Sequence, residues 1–230
     1  MRSRTRKILG LFGLTFVLLL GYAAFLMRGI FMGQKIYDVV SIKQDAAYQD
    51  PKLLAAAYAL PVAATYQKAG VVYQPNPSFC GPTSVANLVN SLGGAPIGPA
   101  EVVKGSGKCI TGICMGGLTL DELAEVVRYK TGKRVTVLRD LDLATLREQL
   151  KQSNDPAKRY LVNFNRGPLF GKAGGHHSPI AGYLEDQDLV LVLDVNRNFQ
   201  PWLVKSERLL AAIDTVDSDG GKKRGLLRVE

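Results

Sequence analysis

Cysteine and histidine are scarce in this chain of 230 residues, which holds three of the first and two of the second. Three cysteines are too few for a disulfide framework. Cys109 and Cys114 stand at a C-x4-C spacing without the second pair a structural zinc site needs, so no metal site is expected. In an oxidising compartment the two could join as a small disulfide, and the competing reading is a pair of free thiols near the site. The net charge is +9, and no aromatic residue is interleaved with the two basic blocks that stand out in the chain. These are Arg2, Arg4, Arg6 and Lys7 at one end and Lys222, Lys223 and Arg224 at the other. No helix is basic along one face, which argues against a nucleic-acid partner. Positive charge near a membrane or around an anionic small substrate fits better.

What the chain does have, first, is one long apolar run. Ile8 to Met27 carries no charge over twenty positions, about 30 Å of helix or one hydrocarbon thickness. Four positive residues precede it and Arg28 follows, a bias that puts the amino terminus in the cytoplasm and the remainder outside. A cleaved signal peptide is the competing reading, but its apolar core would be shorter, roughly 7–15 residues. Residues 1–28 are therefore expected as an amino-terminal anchor or uncleaved signal segment. Residues 29–49 are expected as a linker with some extended character near Ile36, and 50–230 as the globular domain. The expected location is the periplasmic side of a bacterial inner membrane.

Cys80 sits at the head of the next clear pattern. Val85, Leu88, Val89 and Leu92 recur at i, i+3, i+4 and i+7, and Gly93-Gly94 closes the helix. A cysteine at a helix start meets unpaired N–H groups and the positive end of the dipole, which favour its thiolate. Gln74, in a loop stiffened by Pro75 and Pro77, can swing an amide N–H toward the carbonyl such a thiolate attacks. A buried cysteine that merely fills space is the competing reading.

The remaining pattern builds a second half. Asp50-Pro51 opens a helix, Thr119-Leu-Asp-Glu122 is a capping box, and Asp142 opens a further amphipathic helix. Tyr160 to Asn165 reads as a strand. His176 and His177, the chain's only histidines, open a strand that turns at Glu185–Asp188 into a second ending near Val195. That hairpin carries one imidazole to Asp194 at its open end, the arrangement a general base requires. Alternation sends the two histidine side chains to opposite faces, and spacing alone does not choose between them.

Gln74-x5-Cys80-Gly, Asn163 to Arg166, Gly175-His176-x-Ser178-Pro-Ile-x-Gly182-Tyr183, Asp194-Val-x-Arg197 and Lys223-Arg224-Gly225 together resemble the phytochelatin synthase family, over roughly residues 50–230. The resemblance implies an α+β, papain-like fold, with a helical half carrying the cysteine packed on an antiparallel sheet half. It implies Cys80 as nucleophile, His176 as general base, Asp194 as its orienting partner and Gln74 as oxyanion donor. The family's His-Phe-Ser-Pro-type run has its catalytic residue first, which selects His176. Asn163, Arg166, Asp217 and Arg224 match the positions that hold the γ-glutamyl end of glutathione. The implied chemistry is acyl transfer on glutathione and γ-glutamylcysteine peptides, with glycine released and water or a second glutathione as acceptor. No cofactor is required by it. A heavy-metal ion such as Cd enters as a thiolate complex of the substrate, and a homodimer is consistent with it. The segment after Asp194 is two residues shorter than the family's and lacks a tyrosine. Two other readings stand beside this one: a papain-like peptidase that processes leader peptides, and a catalytically silent, membrane-tethered glutathione-binding module.

Overall fold

The computed structural model describes residues 35–230 apart from 110–112 and 115, together with residues 17 and 20–22. The chain divides into two compact units, Met1–Ile36 and Tyr37–Glu230. In the first, residues 17 and 20–22 are helical, and the rest of the apolar run expected as an anchor lies outside the described residues. No helix among the described residues is long and apolar enough to cross a membrane.

The second unit is α+β, built on one antiparallel sheet. Its helices are α1 (Pro51–Tyr58), α2 (Pro61–Ala69), α3 (Cys80–Ser91), α4 (Pro99–Val103), α5 (Leu120–Thr131), α6 (Leu143–Gln152), α7 (Gly167–Phe170) and α8 (Ser206–Ile213). The strands are β1 (Val135–Leu138), β2 (Arg159–Asn165), β3 (Gly175–Leu184), β4 (Leu189–Leu193), β5 (Pro201–Lys205) and β6 (Gly225–Val229), in spatial order β1-β6-β2-β3-β4-β5. Local chemistry starts several helices. The Asp50 carboxylate accepts from the N–H groups of Lys52 and Leu53 before Pro51 opens α1. Thr119 and Glu122 make both bonds of the capping box on α5.

Period-two alternation divides the core between the faces of the sheet. Tyr160, Val162, Phe164, Val190, Val192 and Trp202 pack with Leu146 and Leu150 of α6 and Leu209 of α8. On the opposite face Leu161, Leu227 and Val229 meet Val85 and Leu88 of α3 and Leu123 and Val127 of α5. Ala181, Leu191 and Leu203 meet Val62 and Tyr66 of α2. The cysteine helix thus lies directly on the strand that carries the histidines.

The expected linker needs correcting. Its second half, residues 37–49, is packed into the second unit, with Ile42 fully buried and Tyr48 nearly so. Tyr48 O accepts from Leu203 N–H at 2.8 Å, and Arg208 Nη2 donates to Val40 O at 2.8 Å. The mixed polar composition that suggested a linker is the outer side of this strap. The 3-10 turn Ile42–Gln44 puts its one buried apolar residue inward.

Candidate active site

Three long-range contacts hold the cysteine helix and its approach. Asn87, on α3, accepts from Val72 N–H at 2.8 Å and donates to Val72 O at 2.8 Å, clamping the extended stretch that enters the Gln74 loop. Gln74 N–H then donates to Val195 O at 2.8 Å, tying that loop to the residue after Asp194. At the far end of α3, the buried Arg159 guanidinium donates to Ser91 Oγ at 2.8 Å and Ser91 O at 3.0 Å. A cation on the last carbonyls suits the negative end of the helix. Sequence reading missed Asn87 and Arg159, since nothing local in the chain marks a partner 15 or 68 residues away.

Cys80 is the first residue of α3 and only 6% exposed, so its own N–H has no acceptor within the helix. His176 and Asp194 reach it from the sheet. On β3 the turn pairs Leu184 with Leu189 and Gly182 with Leu191, as the hairpin expectation requires, and a one-residue slip follows between Gly182 and Ile180. His176 Nε2 lies 2.9 Å from Asp194 Oδ1. Asp194 as a carboxylate accepts there, so Nε2 carries the hydrogen and Nδ1 is left for the Cys80 side chain. Phe164, the cross-strand partner of His176, meets the imidazole edge-on with centroids 5.4 Å apart.

Burial alone would raise the Cys80 thiol. The hydrogen bond and charge of His176, with backbone hydrogen bonds to His177 and Gly81, outweigh it and bring the pKa below its ordinary value. Burial and the Arg166 charge push His176 down, but Asp194 and Cys80 outweigh them and raise it. The pair is set toward thiolate and imidazolium. Asp194 is fully buried and opposed by that burial, yet His176, Arg166 and Trp202 hold it far below the usual carboxylate range. Its oxygens also accept from Trp202 Nε1 at 3.0 Å and Asn196 N–H at 2.9 Å.

The other residues singled out from the sequence fall in two places. Asn163, Asp217 and Arg224 form a cluster: Arg224 Nη1 donates to Asn163 Oδ1 at 2.7 Å and to Asp217 Oδ2 at 3.0 Å, and Asn163 Nδ2 donates to Asp217 Oδ2 at 3.1 Å. Asp217 and Arg224 line a cleft of about 110 Å³ with Cys80, His176, His177 and the Gly116–Leu118 segment. The guanidinium fits because residue 175 is glycine, where a Cβ would come within 2.8 Å of Arg224 Nη1. Arg166 stands elsewhere. Its Nη2 donates to both Asp194 oxygens, at 2.9 and 2.8 Å, and its guanidinium stacks on Phe199 at 3.7 Å. It buttresses the carboxylate behind His176 and does not line the cleft. Gln74 Nε2 donates to Asn76 O at 3.1 Å, leaving its second hydrogen for another acceptor.

Cys109 and Cys114 are joined by a disulfide, and Cys114 N–H donates to Ser78 Oγ at 3.3 Å, beside the loop that precedes Cys80. Among the described residues no three His, Cys, Asp or Glu side chains gather as a metal site would require. A larger depression of about 530 Å³ lies between α2 and the carboxy-terminal end of α3, lined by Thr65, Lys68, Asn90 and Gly93 among others. It holds neither a nucleophilic thiol nor a histidine.

A family model described as phytochelatin synthase matches residues 47–226. The chain is similar to glutathione gamma-glutamylcysteinyltransferase 2 of Arabidopsis thaliana, 29% identical over 173 residues that cover 68% of this chain and 37% of that protein. It is also similar to glutathione gamma-glutamylcysteinyltransferase of Schizosaccharomyces pombe, 25% identical over 174 residues covering 70% of this chain and 41% of that one. The chain thus spans less than half the length of these curated relatives. Among solved structures it is similar to the peptidase domain of Streptococcus ComA, a bi-functional ABC transporter. The identity there is 17% and the TM-score 0.47, covering 68% of this chain and 93% of that one.

Proposed function

The chain belongs to the phytochelatin synthase family, and on that premise we propose that it cleaves the Cys–Gly bond of glutathione through a thioester on Cys80. The thiolate attacks the carbonyl carbon of that amide. Negative charge develops on the carbonyl oxygen, where the Cys80 N–H and the second hydrogen of Gln74 Nε2 are the available donors. His176 passes its proton to the amide nitrogen, the C–N bond breaks and glycine leaves. The γ-glutamylcysteinyl group stays on sulfur. Water then attacks the thioester, giving its proton to His176, and γ-glutamylcysteine departs. A second glutathione in place of water gives the longer peptide. Asp194 holds His176 with Nδ1 toward the sulfur throughout, and Arg166 holds Asp194.

The observation that carries the reading is the shared cleft. The nucleophile, its base, Asp217 and Arg224 meet at one opening of a size suited to an amino-acid head group, with buried Asn163 bonded to both Asp217 and Arg224. Arg224 offers a cation for the γ-glutamyl carboxylate and Asp217 a carboxylate for its amine. The family model and the relatives' names are of the transferase kind, so the leader-peptidase reading is not favoured. A metal ion enters this scheme as a thiolate complex of the substrate. Location outside the cytoplasm is part of the same proposal. It draws on the charge bias around residues 8–27 and on the Cys109–Cys114 bond, a pairing that oxidising compartments preserve.

Incubation with glutathione and assay of free glycine tests the activity. Release by the wild-type protein and none by Cys80→Ala is the expected result. No release, or equal release by both, overturns the proposal.

A further inference from the structure

His177 is the buried titratable residue beside Cys80 that the reaction leaves without a task. It is 3% exposed and lines the cleft together with Cys80, Asp217 and Arg224. Its register partner on β2 is Asn163, the residue that bridges Asp217 and Arg224. His177 Nε2 lies 2.7 Å from the Leu118 carbonyl. A carbonyl only accepts, so Nε2 carries the hydrogen and Nδ1 presents a bare lone pair. Among the described residues that buried Nδ1 has no hydrogen-bond partner.

An unmet buried acceptor is costly to a fold and calls for a donor, which in a cleft a ligand can supply. Protonation does not resolve it at neutral pH. Burial, with the nearby charges of His176 and Arg224, outweighs the Leu118 bond and the Asp217 charge and pushes the ring pKa down to about 4. The imidazole is therefore a neutral acceptor on a residue that lines the cleft.

The charges around it identify the donor. Asp217, Asp219 and Arg224 line the same opening, two carboxylates and one guanidinium that suit a ligand bearing both an ammonium and a carboxylate group. An ammonium has three hydrogens to place. Asp217 Oδ2 is already occupied by Asn163 and Arg224, which leaves that carboxylate short of the three acceptors an ammonium wants. A neutral imidazole adds an acceptor without adding charge. Resting on glutathione as the substrate, we propose that His177 Nδ1 accepts a hydrogen bond from the α-ammonium of the γ-glutamyl group, so that His177 selects donors bearing that amine.

The test compares two ligands: glutathione, and the analogue that lacks only the amine, glutaryl-cysteinyl-glycine. Their binding to the Cys80→Ala protein is measured by calorimetry, with histidine, glutamine or asparagine at position 177. His177→Gln keeps a donor for Leu118 O but places no acceptor where Nδ1 stood, and His177→Asn places its amide oxygen near that point. The glutamine variant is expected to lose about tenfold in affinity for glutathione, the scale of a hydrogen bond to a charged group. Its affinity for the analogue stays unchanged, and the asparagine variant recovers most of the preference. Reading the ratio of the two affinities within each variant cancels any loss of folded protein. An equal loss for both ligands, or no loss for either, overturns the inference. No binding of glutathione to any variant overturns both the inference and the proposed function. An amine preference that depends on His177 in a protein releasing no glycine sinks only the function.

Discussion

Replacing Arg166 with methionine takes the cation from Asp194 while keeping an unbranched apolar stem. Arg166 Nη2 touches both oxygens of a carboxylate that is fully buried. Breaking a buried ion pair from one side generally costs about 3–5 kcal/mol, because a charge is left without its partner. Asp194 would keep three donors, His176 Nε2, Trp202 Nε1 and the Asn196 N–H, so the lower end applies. A loss of about 3 kcal/mol corresponds to a fall in Tm of about 6–12 °C for a chain of this size. The substitution also changes the chemistry. After burial, the Arg166 charge is the main influence holding the His176 pKa down, against Asp194 and Cys80. Without it the imidazolium survives to higher pH, so the alkaline limb of kcat/KM should move upward. Thermal melts, and kcat/KM for glycine release across pH, measure both effects. A raised KM with an unmoved Tm and an unmoved alkaline limb would refute the reasoning. That result would mean Arg166 meets the substrate directly, the role the family resemblance implied.

Two further outcomes follow from the same contacts. In Gly225→Ala the new Cβ runs into the carbonyl oxygen of Leu138 on β1, so β6 must shift and carry Arg224 with it. A loss of about 1–3 kcal/mol in urea unfolding, with a raised KM for glutathione, is expected, and wild-type values for both would count against this packing. His177 gives a pH signature. Its pKa is about 4 in the fold against about 6.5 in the free chain, so the unfolded chain takes the proton first as pH falls. The stability this contributes is complete above about pH 6.5 and is lost between there and pH 4, roughly 3 kcal/mol in all. Between pH 7 and pH 4.5 the His177→Gln protein should therefore lose less stability than wild type, and parallel losses would contradict the assignment.

The parts of the fold written in neighbouring residues were legible in the sequence. The capping box at Thr119, the Asp50-Pro51 start, the cysteine at the head of its helix and the hairpin carrying His176 to Asp194 each depend on residues a few positions apart or on one turn. The α+β class came with the family resemblance, and these elements agree with it. Arg166 shows where that reading stops. Its place just past β2 is visible in the chain, but its direction is decided by Asp194 at the end of β4 and by the ring of Phe199. The family resemblance implied the substrate as its partner, and the structure pairs it with Asp194. Residues 37–49 read as a linker because only Ile42 and Tyr48 turn inward, and two residues make no periodic pattern. The work of Asn87 and Arg159 is invisible to any local window, since each satisfies backbone groups brought near only by folding.

The proposed chemistry passes through a covalent bond between Cys80 and one half of glutathione. Intact-protein mass spectrometry after brief exposure to glutathione, followed by peptide mapping, tests it most directly. The expected product is a single γ-glutamylcysteinyl group on Cys80, stable to a phosphine reductant, removed by hydroxylamine and absent from Cys80→Ala. Whole glutathione held as a reducible disulfide, or an adduct that persists without Cys80, would contradict the account.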